Sequence, residues 1–519
     1  MISAAKSLKE RRDICMKIKR VMIAAPKSGS GKTVVTCALL QVLKDCGLKV
    51  ASYKCGPDYI DPMFHREVLG IPGYNLDIFL CGRRMMRELL FCHSISGKGI
   101  SEKKISGAEQ GADHRISVIE GVMGYYDGLG GISYKASTYD VADATDTPSV
   151  MVVNCKGASV SLIPYIQGFL KYQDEKAENS HIQGVILNRI SPAMYERLKA
   201  LVENETSVRV YGYVPDIQDF RFESRYLGLK MPEEVEEIKE KLKKLGELLE
   251  ESLDIDGLVK LAGSAPPLQT DGEGICSRRK SSVGKDSKAG KDEVISIREW
   301  TQDSLRIGVA MDEAFCFIYQ DNLNILEGMG AEIIPFSPLH DAELPDRLDG
   351  IIFYGGYPEL HAKKLSENQS MRKQIKQAVS ERMPCIAECG GFMFLMESIR
   401  DERGTAYPMC GVFGGESFPT SSLRRFGYVT LRGGKVFGRK DAGDILAHEF
   451  HYCDSERCGE SFVAKKPLSD REWKCMISTD TILAGYPHIH YAGSPKVAEA
   501  FLDACSDYRR KKQGKVRVR

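Results

Sequence analysis

Short apolar runs alternate with amphipathic stretches of helical length in two parts of the chain, residues 20–261 and 304–506. A run such as VMIAA (21–25) or GIIFY (350–354) has the length of a strand that is covered on both faces. Between such runs, apolar residues recur at helical spacing among charged ones, which is typical of a surface helix. The pattern therefore predicts an α/β fold with two doubly wound domains, each a parallel sheet with helices on both faces.

Three other segments lack this alternation. Residues 262–303 are dense in Gly, Ser, Lys and Asp and contain few large apolar residues, so they cannot bury enough surface to order themselves. We predict that they form a flexible linker. Residues 1–19 and 507–519 are basic, and we predict that they form a solvated N-terminal extension and a solvated tail.

Charge and cysteine usage narrow the choice of partners. The 519-residue chain has 71 acidic and 72 basic residues, which gives no electrostatic reason to expect nucleic acid or an anionic membrane as a partner. It has no run of 18 apolar residues and no apolar signal-peptide core at its N-terminus, so we expect a cytoplasmic protein. None of the 16 cysteines forms a CxxC pair, and in a reducing compartment we expect most of them to be small core residues.

A phosphate-binding loop is predicted after the first strand. The segment APKSGSGKT (25–33) lies between an apolar strand and an amphipathic helix. In such a loop, backbone N–H groups and the positive helix N-terminus face a polyphosphate, the lysine reaches the outer phosphates, and the threonine hydroxyl binds Mg²⁺. Pro26 stands where the usual motif has its first glycine, and an ordinary glycine-rich turn is the alternative. The residues that we predict to bind ATP here are Gly29, Ser30, Gly31, Lys32 and Thr33.

Polar side chains follow three other predicted strands of the first domain. RISVIEG places Glu120 at a strand end, and Asp127 lies a few residues beyond it. VASYKCGPDYID brings Asp58 and Asp61 into a turn after another strand, and GVILN ends at Asn188. Because ligands gather at the carboxyl ends of parallel strands, Glu120 is well placed to hold Mg²⁺, and the Asn188 amide to read an adenine edge. Carboxylates that cap turns are the alternative for the acids.

A second candidate site lies in the C-terminal domain. PCIAECGGFMFL (384–395) has the pattern of a strand, a tight turn and a helix, and puts Cys389 on the turn. A nucleophile on such a turn projects from the sheet, glycines such as Gly390 tolerate the strained backbone, and a helix N-terminus lowers a thiol pKa. Gly355 and Gly356 follow another strand, where their N–H groups could form an oxyanion hole.

A thiolate nucleophile also needs a base. The segments HEFHYC (448–453) and GYPHIHYAGSP (485–495) both supply histidines. The residues alone do not show which of these histidines meets Cys389.

Taken together, these motifs resemble one enzyme family. The chain is similar to the cobyrinic acid a,c-diamide synthase family in the segments APKSGSGKT, KCGPDYIDPMFH, NLD (75–77), EGVMGYYDG, GVILNRIS, GGYPEL, ECGGFM and HEFHY. The resemblance runs over nearly all of residues 20–505. It implies a dethiobiotin-synthetase-like P-loop domain joined to a class I glutamine amidotransferase domain with a flavodoxin-like sheet.

The resemblance implies an ATP-dependent ligase that takes its nitrogen from glutamine. Glutamine would be hydrolysed at the Cys389 thiolate through an acyl-enzyme, and ammonia would pass to the first domain. There ATP, with Mg²⁺, would phosphorylate a carboxylate of a tetrapyrrole, and ammonia would displace phosphate to leave an amide. The a and c acetate side chains would be amidated in turn. The macrocycle would be cobyrinate, in cobalamin biosynthesis, or nickel-sirohydrochlorin, in coenzyme F430 biosynthesis for methanogenesis.

The same resemblance assigns roles to residues. Class I amidotransferases usually present His-x-Glu at the last strand, whereas this chain has His488-Ile489-His490. We therefore assign His488 as the base, with His490 as runner-up, in a Cys-His dyad that lacks the acid. By the same carry-over Lys32, Thr33 and Glu120 serve MgATP, Asp61 binds Mg²⁺ as the comparable acid in CTP synthetase does, and Asp58 and Asp127 face the substrate or its acyl phosphate.

Three alternatives stay open. A partitioning-type ATPase switch would share the P-loop, but it would not need the strand-Cys-Gly-Gly domain. Cobyric acid synthase amidates other corrinoid side chains, but its P-loop domain lacks a segment like GPDYIDPMFH. HEFHYCDSERC (448–458) has the residue types of a zinc or redox site.

A homodimer is the oligomeric state that we consider for the leading hypothesis.

Overall fold

The computed structural model describes residues 14–95, 115–172, 179–216, 232–270, 304–439 and 442–517. These residues divide into two compact units. The first unit contains the described residues up to 270 other than Phe79–Cys81, and the second unit contains those three and the described residues from 304 onwards. No helix in the described ranges is long and apolar enough to cross a membrane.

A parallel sheet forms the centre of the first unit. In chain order, the strands of this unit are β1 (Ile14–Met16), β2 (Arg20–Ala24), β3 (Val50–Cys55), β4 (Gly73–Leu76), β5 (Ile116–Glu120), β6 (Ser149–Asn154), β7 (Ile182–Asn188), β8 (Arg209–Val214) and β9 (Leu268–Thr270). Strands β2 to β8 form one sheet in the order β4-β3-β5-β2-β6-β7-β8, with every neighbouring pair parallel. Strands β2, β3 and β5 are buried along their whole length, as expected for strands that are covered on both faces.

Helices connect these strands. They are α1 (Lys32–Asp45), α2 (Ile60–Glu67), α3 (Ile78–Ser94, interrupted at Gly82), α4 (Thr138–Thr145), α5 (Leu162–Lys171), α6 (Pro192–Thr206), α7 (Pro232–Ser252) and α8 (Ile255–Ser264). The sheet and helices share one apolar core that includes Met22, Ile119 and Met151. Burying each such side chain contributes about 1.5–3 kcal/mol to stability.

The register of the sheet brings the predicted site residues together. Glu120 lies opposite Ile23 of β2 on one side and opposite Lys54 of β3 on the other. The loop that follows β2 leads into α1, so the phosphate-binding loop and the carboxyl ends of β3 and β5 share one edge of the sheet.

The predicted ends of the domains need correction. Within the predicted linker 262–303, helix α8 continues to Ser264 and β9 pairs with β1 antiparallel, so residues 14–16 of the predicted extension also belong to the first unit. Ile18 and Leu268 are buried in its core, which explains this order. Residues 271–303 lie outside the described residues.

The second unit is built on another largely parallel sheet. Its strands are β10 (Leu305–Ala310), β11 (Ala331–Phe336), β12 (Gly350–Phe353), β13 (Cys385–Glu388), β14 (Ser398–Arg400), β15 (Ala406–Pro408), β16 (Glu416–Pro419), β17 (Arg425–Arg432), β18 (Ile445–His451), β19 (Cys453–Ser455), β20 (Phe462–Lys465), β21 (Glu472–Cys475), β22 (Ile477–Ser478), β23 (Ile482–Gly485) and β24 (His488–Ile489). Its helices are α9 (Gln320–Gly328), α10 (Ala362–Glu367), α11 (Gln369–Ser380), α12 (Gly390–Leu395) and α13 (Pro495–Arg517). The central sheet has the order β11-β10-β12-β13-β23-β22, and only β22 runs antiparallel to its neighbour.

The α/β fold class is confirmed, but the second unit contains two further sheets besides the single doubly wound sheet that was predicted for it. Strands β14, β15, β16 and β19 form a four-stranded sheet, and β17, β18, β20, β21 and β24 form a five-stranded one. HEFHYC therefore begins on a strand of an antiparallel sheet. The predicted tail also needs correction, because α13 extends to Arg517 and Arg509 forms an ion pair with Asp349.

Candidate active sites

A pocket of about 370 Å³ opens at the edge of the sheet in the first unit. Lys32 donates from Nζ to the carbonyl oxygen of Met123 at 2.5 Å, and the Thr33 hydroxyl donates to Oε1 of Glu120 at 2.7 Å. Burial, and secondarily Lys54, lower the pKa of Lys32 to about 8. The residues that line the pocket are Ser28, Gly29, Gly31, Lys32, Thr33, Val34, Lys54, Asp58, Asp61, Glu120, Gly121, Val122 and Met123.

The loop before α1 has the backbone that phosphate binding requires. Gly29 and Gly31 have φ angles of 75° and 97°, which L side chains rarely adopt. The Asn188 amide nitrogen donates to the Ser30 carbonyl oxygen at 2.7 Å, and a Cβ at Gly31 would lie 2.3 Å from that nitrogen. Asn188 therefore supports the loop from behind and is absent from the pocket lining. Its contact with adenine stays a prediction.

Lys54 is the main residue of this pocket that the sequence analysis did not identify. Its Nζ lies 2.5 Å from Oδ2 of Asp61, 2.8 Å from Oε1 of Glu120 and 4.0 Å from Oδ2 of Asp58. Burial alone would lower the pKa of Lys54, but these carboxylates outweigh it and raise the pKa well above its usual value. Lys54 is therefore a fixed positive charge at the carboxyl end of β3, inside a strand that is otherwise largely apolar.

Of the predicted acids, Asp58, Asp61 and Glu120 line the pocket, whereas Asp127 caps a turn. Asp58 accepts hydrogen bonds from the backbone of Ile60 and Asp61 at 2.9 and 3.2 Å, yet it also lines the pocket. Burial and then Asp61 raise the pKa of Asp58 to about 6. Asp127 instead accepts from the backbone N–H of Gly124 at 3.0 Å and does not line the pocket. This position does not support the prediction that Asp127 faces the substrate, because its carboxylate caps a tight turn.

The oxygen atoms around Glu120 suit Mg²⁺. The Thr33 hydroxyl and the carboxylates of Asp61 and Glu120 are hard oxygen ligands, and Oε2 of Glu120 is buried without a hydrogen-bond partner. Burial raises the pKa of Glu120 to about 7. Within the described ranges, no three His, Cys, Asp or Glu side chains form a metal cage. Mg²⁺ usually binds through one or two carboxylates together with phosphates and water.

The predicted nucleophile of the second unit lies on a strained turn. Cys389 joins the end of β13 to the start of α12, with φ 48° and ψ −109°. Such a backbone conformation costs about 1–3 kcal/mol in a residue other than glycine and is concentrated at functional sites. The backbone N–H of Cys389 donates to the carbonyl oxygen of Gly485 at 2.8 Å, which fixes the turn against β23.

The predicted oxyanion glycines surround this turn. A Cβ at Gly355 would lie 2.5 Å from Cε1 of His488 and 3.4 Å from Cβ of Cys389, so both side chains adjoin Gly355. A Cβ at Gly390 would lie 3.0 Å from the backbone nitrogen of Gly356. The fold thus brings together three segments that are far apart in sequence, namely Gly355–Gly356, Cys389–Gly390 and His488. Any side chain at Gly355 would collide with the histidine ring.

The pKa prediction for Cys389 is wrong. Burial raises the pKa of its thiol, and Glu359 raises it further, while a hydrogen bond with Gly390 lowers it only in part. Helix α12 has six residues, so its dipole is weak compared with complete burial. A neighbouring cation, such as a protonated histidine, would favour the thiolate against this effect of burial.

The two candidate bases occupy different surroundings. Nδ1 of His488 lies 3.6 Å from Oε2 of Glu388, and both side chains are about 1% exposed. Nε2 of His490 lies 3.8 Å from Oδ2 of Asp321, and its ring centroid is 4.8 Å from that of Tyr319. His488 is the histidine that adjoins Gly355 and Cys389. Glu388 was not identified from the sequence.

The HEFHYC histidines have structural partners. His448 lies opposite His488 in the sheet, and burial lowers its pKa well below the usual value. Nε2 of His451 is 2.9 Å from Oε2 of Glu449, and Nδ1 is 2.6 Å from the Cys453 carbonyl oxygen. Both ring nitrogens of His451 are thus engaged by groups other than a thiolate. Among the described residues, this segment forms no cluster of three or more His, Cys, Asp or Glu side chains that could hold a metal ion.

Comparison with known proteins gives matches in both units. Residues 21–229 match a family model described as a CobQ/CobB/MinD/ParA nucleotide binding domain. Residues 306–496 match one described as a CobB/CobQ-like glutamine amidotransferase domain. The two matches correspond to the pocket of the first unit and the cysteine site of the second.

Full-length relatives match as well. The chain is 35% identical over 495 residues to a cobyrinate a,c-diamide synthase of Caldanaerobacter subterraneus, covering 94% of this chain and 99% of that one. It is 36% identical to the protein of the same name from Listeria innocua, and the match covers 92% of this chain and 98% of that one. It is 32% identical to the protein of the same name from Thermoplasma volcanium, and the match covers 96% of this chain and 100% of that one.

Proposed function

This chain belongs to the cobyrinate a,c-diamide synthase family, and from that premise we propose that it converts two carboxylates of a tetrapyrrole to amides with ATP and glutamine. The observation that carries the proposal is that one chain combines a phosphate-binding pocket with a buried Cys389–His488 pair. A pocket alone would fit a switch ATPase, and a cysteine site alone would fit a glutaminase. A ligase that makes its own ammonia needs both.

Ammonia is released in the second unit. His488 takes the proton of Cys389, and the sulfur attacks the carboxamide carbon of glutamine. The backbone N–H groups of Gly356 and Gly390 stabilise the negative oxygen that forms. The C–N bond then breaks as His488 returns a proton to the leaving nitrogen, and water hydrolyses the thioester to glutamate.

Amide synthesis takes place in the first unit. A carboxylate oxygen of the macrocycle attacks the γ-phosphorus of ATP, ADP leaves, and ammonia then displaces phosphate from the acyl phosphate. Mg²⁺ held by Thr33, Glu120 and Asp61 would neutralise charge on the phosphates. Lys32 reaches the same phosphates. Lys54 and Asp58 line the same pocket, where Lys54 can hold the anionic acyl phosphate and Asp58 can orient the incoming ammonia.

The macrocycle is a tetrapyrrole polycarboxylate. The names of the relatives specify cobyrinate, and we propose the a and c acetates of cobyrinate as the amidated groups. Nickel-sirohydrochlorin is the second macrocycle that we propose to test, because the family resemblance extends to it. A homodimer is the proposed oligomeric state. Product formation from macrocycle, ATP and glutamine tests the function directly, since omission of any one of them should abolish synthesis.

The assignment of the base is tested by comparing two histidine variants. His488→Ala is expected to lower glutaminase kcat by about 10²–10⁴-fold, because it removes the group that exchanges protons with sulfur and nitrogen. His490→Ala is the matched control, since His490 is equally buried in the same unit but adjoins Tyr319 and Asp321. Glutamate release should stay near wild type in His490→Ala. If only that variant lost activity, His490 would be the base.

A further inference from the structure

Glu388 is a buried acid directly before the nucleophile. It is the last residue of β13, and only 1% of its surface is exposed. Its Oε1 accepts a hydrogen bond from the backbone N–H of Ile489 at 3.3 Å, and its Oε2 lies 3.6 Å from Nδ1 of His488. Burial disfavours the charged form of a carboxyl group, so a buried carboxylate requires a partner that compensates its charge.

The orientation of the His488 ring identifies this histidine as the partner of Glu388. A Cβ at Gly355 would lie 2.5 Å from Cε1 and 3.4 Å from Nε2 of His488, so the edge that carries Nε2 faces Gly355 and, beside it, Cys389. Nδ1 faces Glu388 instead. One ring nitrogen therefore points to the nucleophile's side and the other to a carboxylate. Hydrogen bonds between catalytic groups are often long before the substrate binds.

We propose that Glu388 is the positioning residue of the glutaminase site. Its carboxylate keeps the Nδ1–H of His488 directed at itself, so that Nε2 is the atom that accepts the Cys389 proton. It also stabilises the imidazolium that forms when the thiolate appears. The inference rests on the proposed function, and it replaces the acid-free dyad of the sequence analysis with a triad whose acid comes from β13, the nucleophile's own strand.

The other titratable groups near Cys389 and His488 do not stabilise the His488 imidazolium in the same way. Tyr354 and Tyr491 lie near Glu388, and burial together with this acid raises the pKa of both, so they stay neutral. His448 faces His488 and is kept neutral by burial. Glu359, Glu449 and Glu388 itself each raise the pKa of the Cys389 thiol, and among these acids Glu388 is the one whose carboxylate lies 3.6 Å from Nδ1 of His488. Glu388 is thus the acid aligned with the ring of His488.

Glu388→Gln tests the inference because it keeps the shape of the side chain and removes its charge. We expect glutaminase kcat to fall by about 10²-fold with little change in the KM for glutamine. The pH profile of Cys389 alkylation by iodoacetamide should move to higher pH, because the thiolate–imidazolium pair loses its stabilising charge. Synthesis from ammonium chloride should stay near wild type.

Asp321→Asn is the matched control. It removes the charge of the acid in another buried acid–histidine pair of the second unit, in which Oδ2 of Asp321 lies 3.8 Å from Nε2 of His490. In this variant, the pH dependence of Cys389 alkylation should be the same as in the wild type. A merely structural role for Glu388 would lower the amount of active enzyme without moving that profile.

The outcomes separate this inference from the proposed function. Wild-type glutaminase and alkylation profiles in Glu388→Gln would overturn the role of Glu388 alone. A wild-type protein without glutaminase activity would overturn the proposed function. If Glu388→Gln loses ammonium-dependent synthesis because it does not fold, the profile of Glu388→Asp decides: a shifted profile supports the role, and an unshifted one rejects it.

Discussion

Cys389→Ala is expected to abolish glutamine-dependent synthesis and to leave synthesis from ammonium salts close to wild type. The variant removes the sulfur that attacks the carboxamide carbon, and losses of a nucleophile typically reach about 10⁴-fold or more. The pocket of the first unit, where ATP and the macrocycle would react, contains none of the atoms that change. Ammonia supplied from solution should therefore replace the product of the missing step.

The measurement is the rate of amide formation with glutamine and, separately, with ammonium chloride. Cys385→Ala is a matched control, because Cys385 is fully buried on β13, the strand that leads to Cys389, but does not lie on the strained turn. It should keep both activities. Loss of both activities in Cys389→Ala, with the control intact, would contradict the assignment of separate sites.

Glu120→Gln is expected to show the opposite selectivity. Oε1 of Glu120 accepts from Thr33 and Lys54, and Oε2 is buried without a partner in a pocket that suits Mg²⁺. An amide cannot balance the charge of Lys54 or bind the metal as a carboxylate does. We expect ligase turnover to fall by about 10²–10³-fold, with either nitrogen source, and glutamine hydrolysis to persist.

This prediction is checked by measuring glutamate release and amide formation in parallel. Asp127→Asn is the matched control, since its carboxylate caps the turn at Gly124 and does not line the pocket. The control should retain most of its ligase activity. A normal ligase rate in Glu120→Gln would remove Glu120 from the metal site.

Features with a local pattern could be predicted from the sequence. The loop at Lys32 and the turn at Cys389 each show a strand, glycines and a helix in one continuous stretch, and both lie where strand ends meet. The same reasoning placed Glu120 at the end of β5. The α/β class followed because both central sheets consist of short buried strands separated by helices.

Other features depend on pairing between distant strands. Lys54 approaches Glu120 because β3 pairs with β5, and Glu388 approaches His488 because β13 pairs with β23, just before β24. The available signal was an ionisable residue at the end of a buried strand, in VASYKC and in CIAE. Asp127 shows the converse case, because the sequence places this acid near a predicted site, whereas in the structure its carboxylate caps a turn.

The central claim is that one chain transfers glutamine nitrogen to the carboxylates of a tetrapyrrole. The most direct measurement is mass spectrometry of the macrocycle after incubation with ATP, Mg²⁺ and glutamine labelled with ¹⁵N in its amide, with cobyrinic acid and nickel-sirohydrochlorin offered separately. We predict a diamide of at least one macrocycle, with ¹⁵N in both new amides and no product when ATP is omitted. Glutamine hydrolysis with neither macrocycle amidated would contradict the claim.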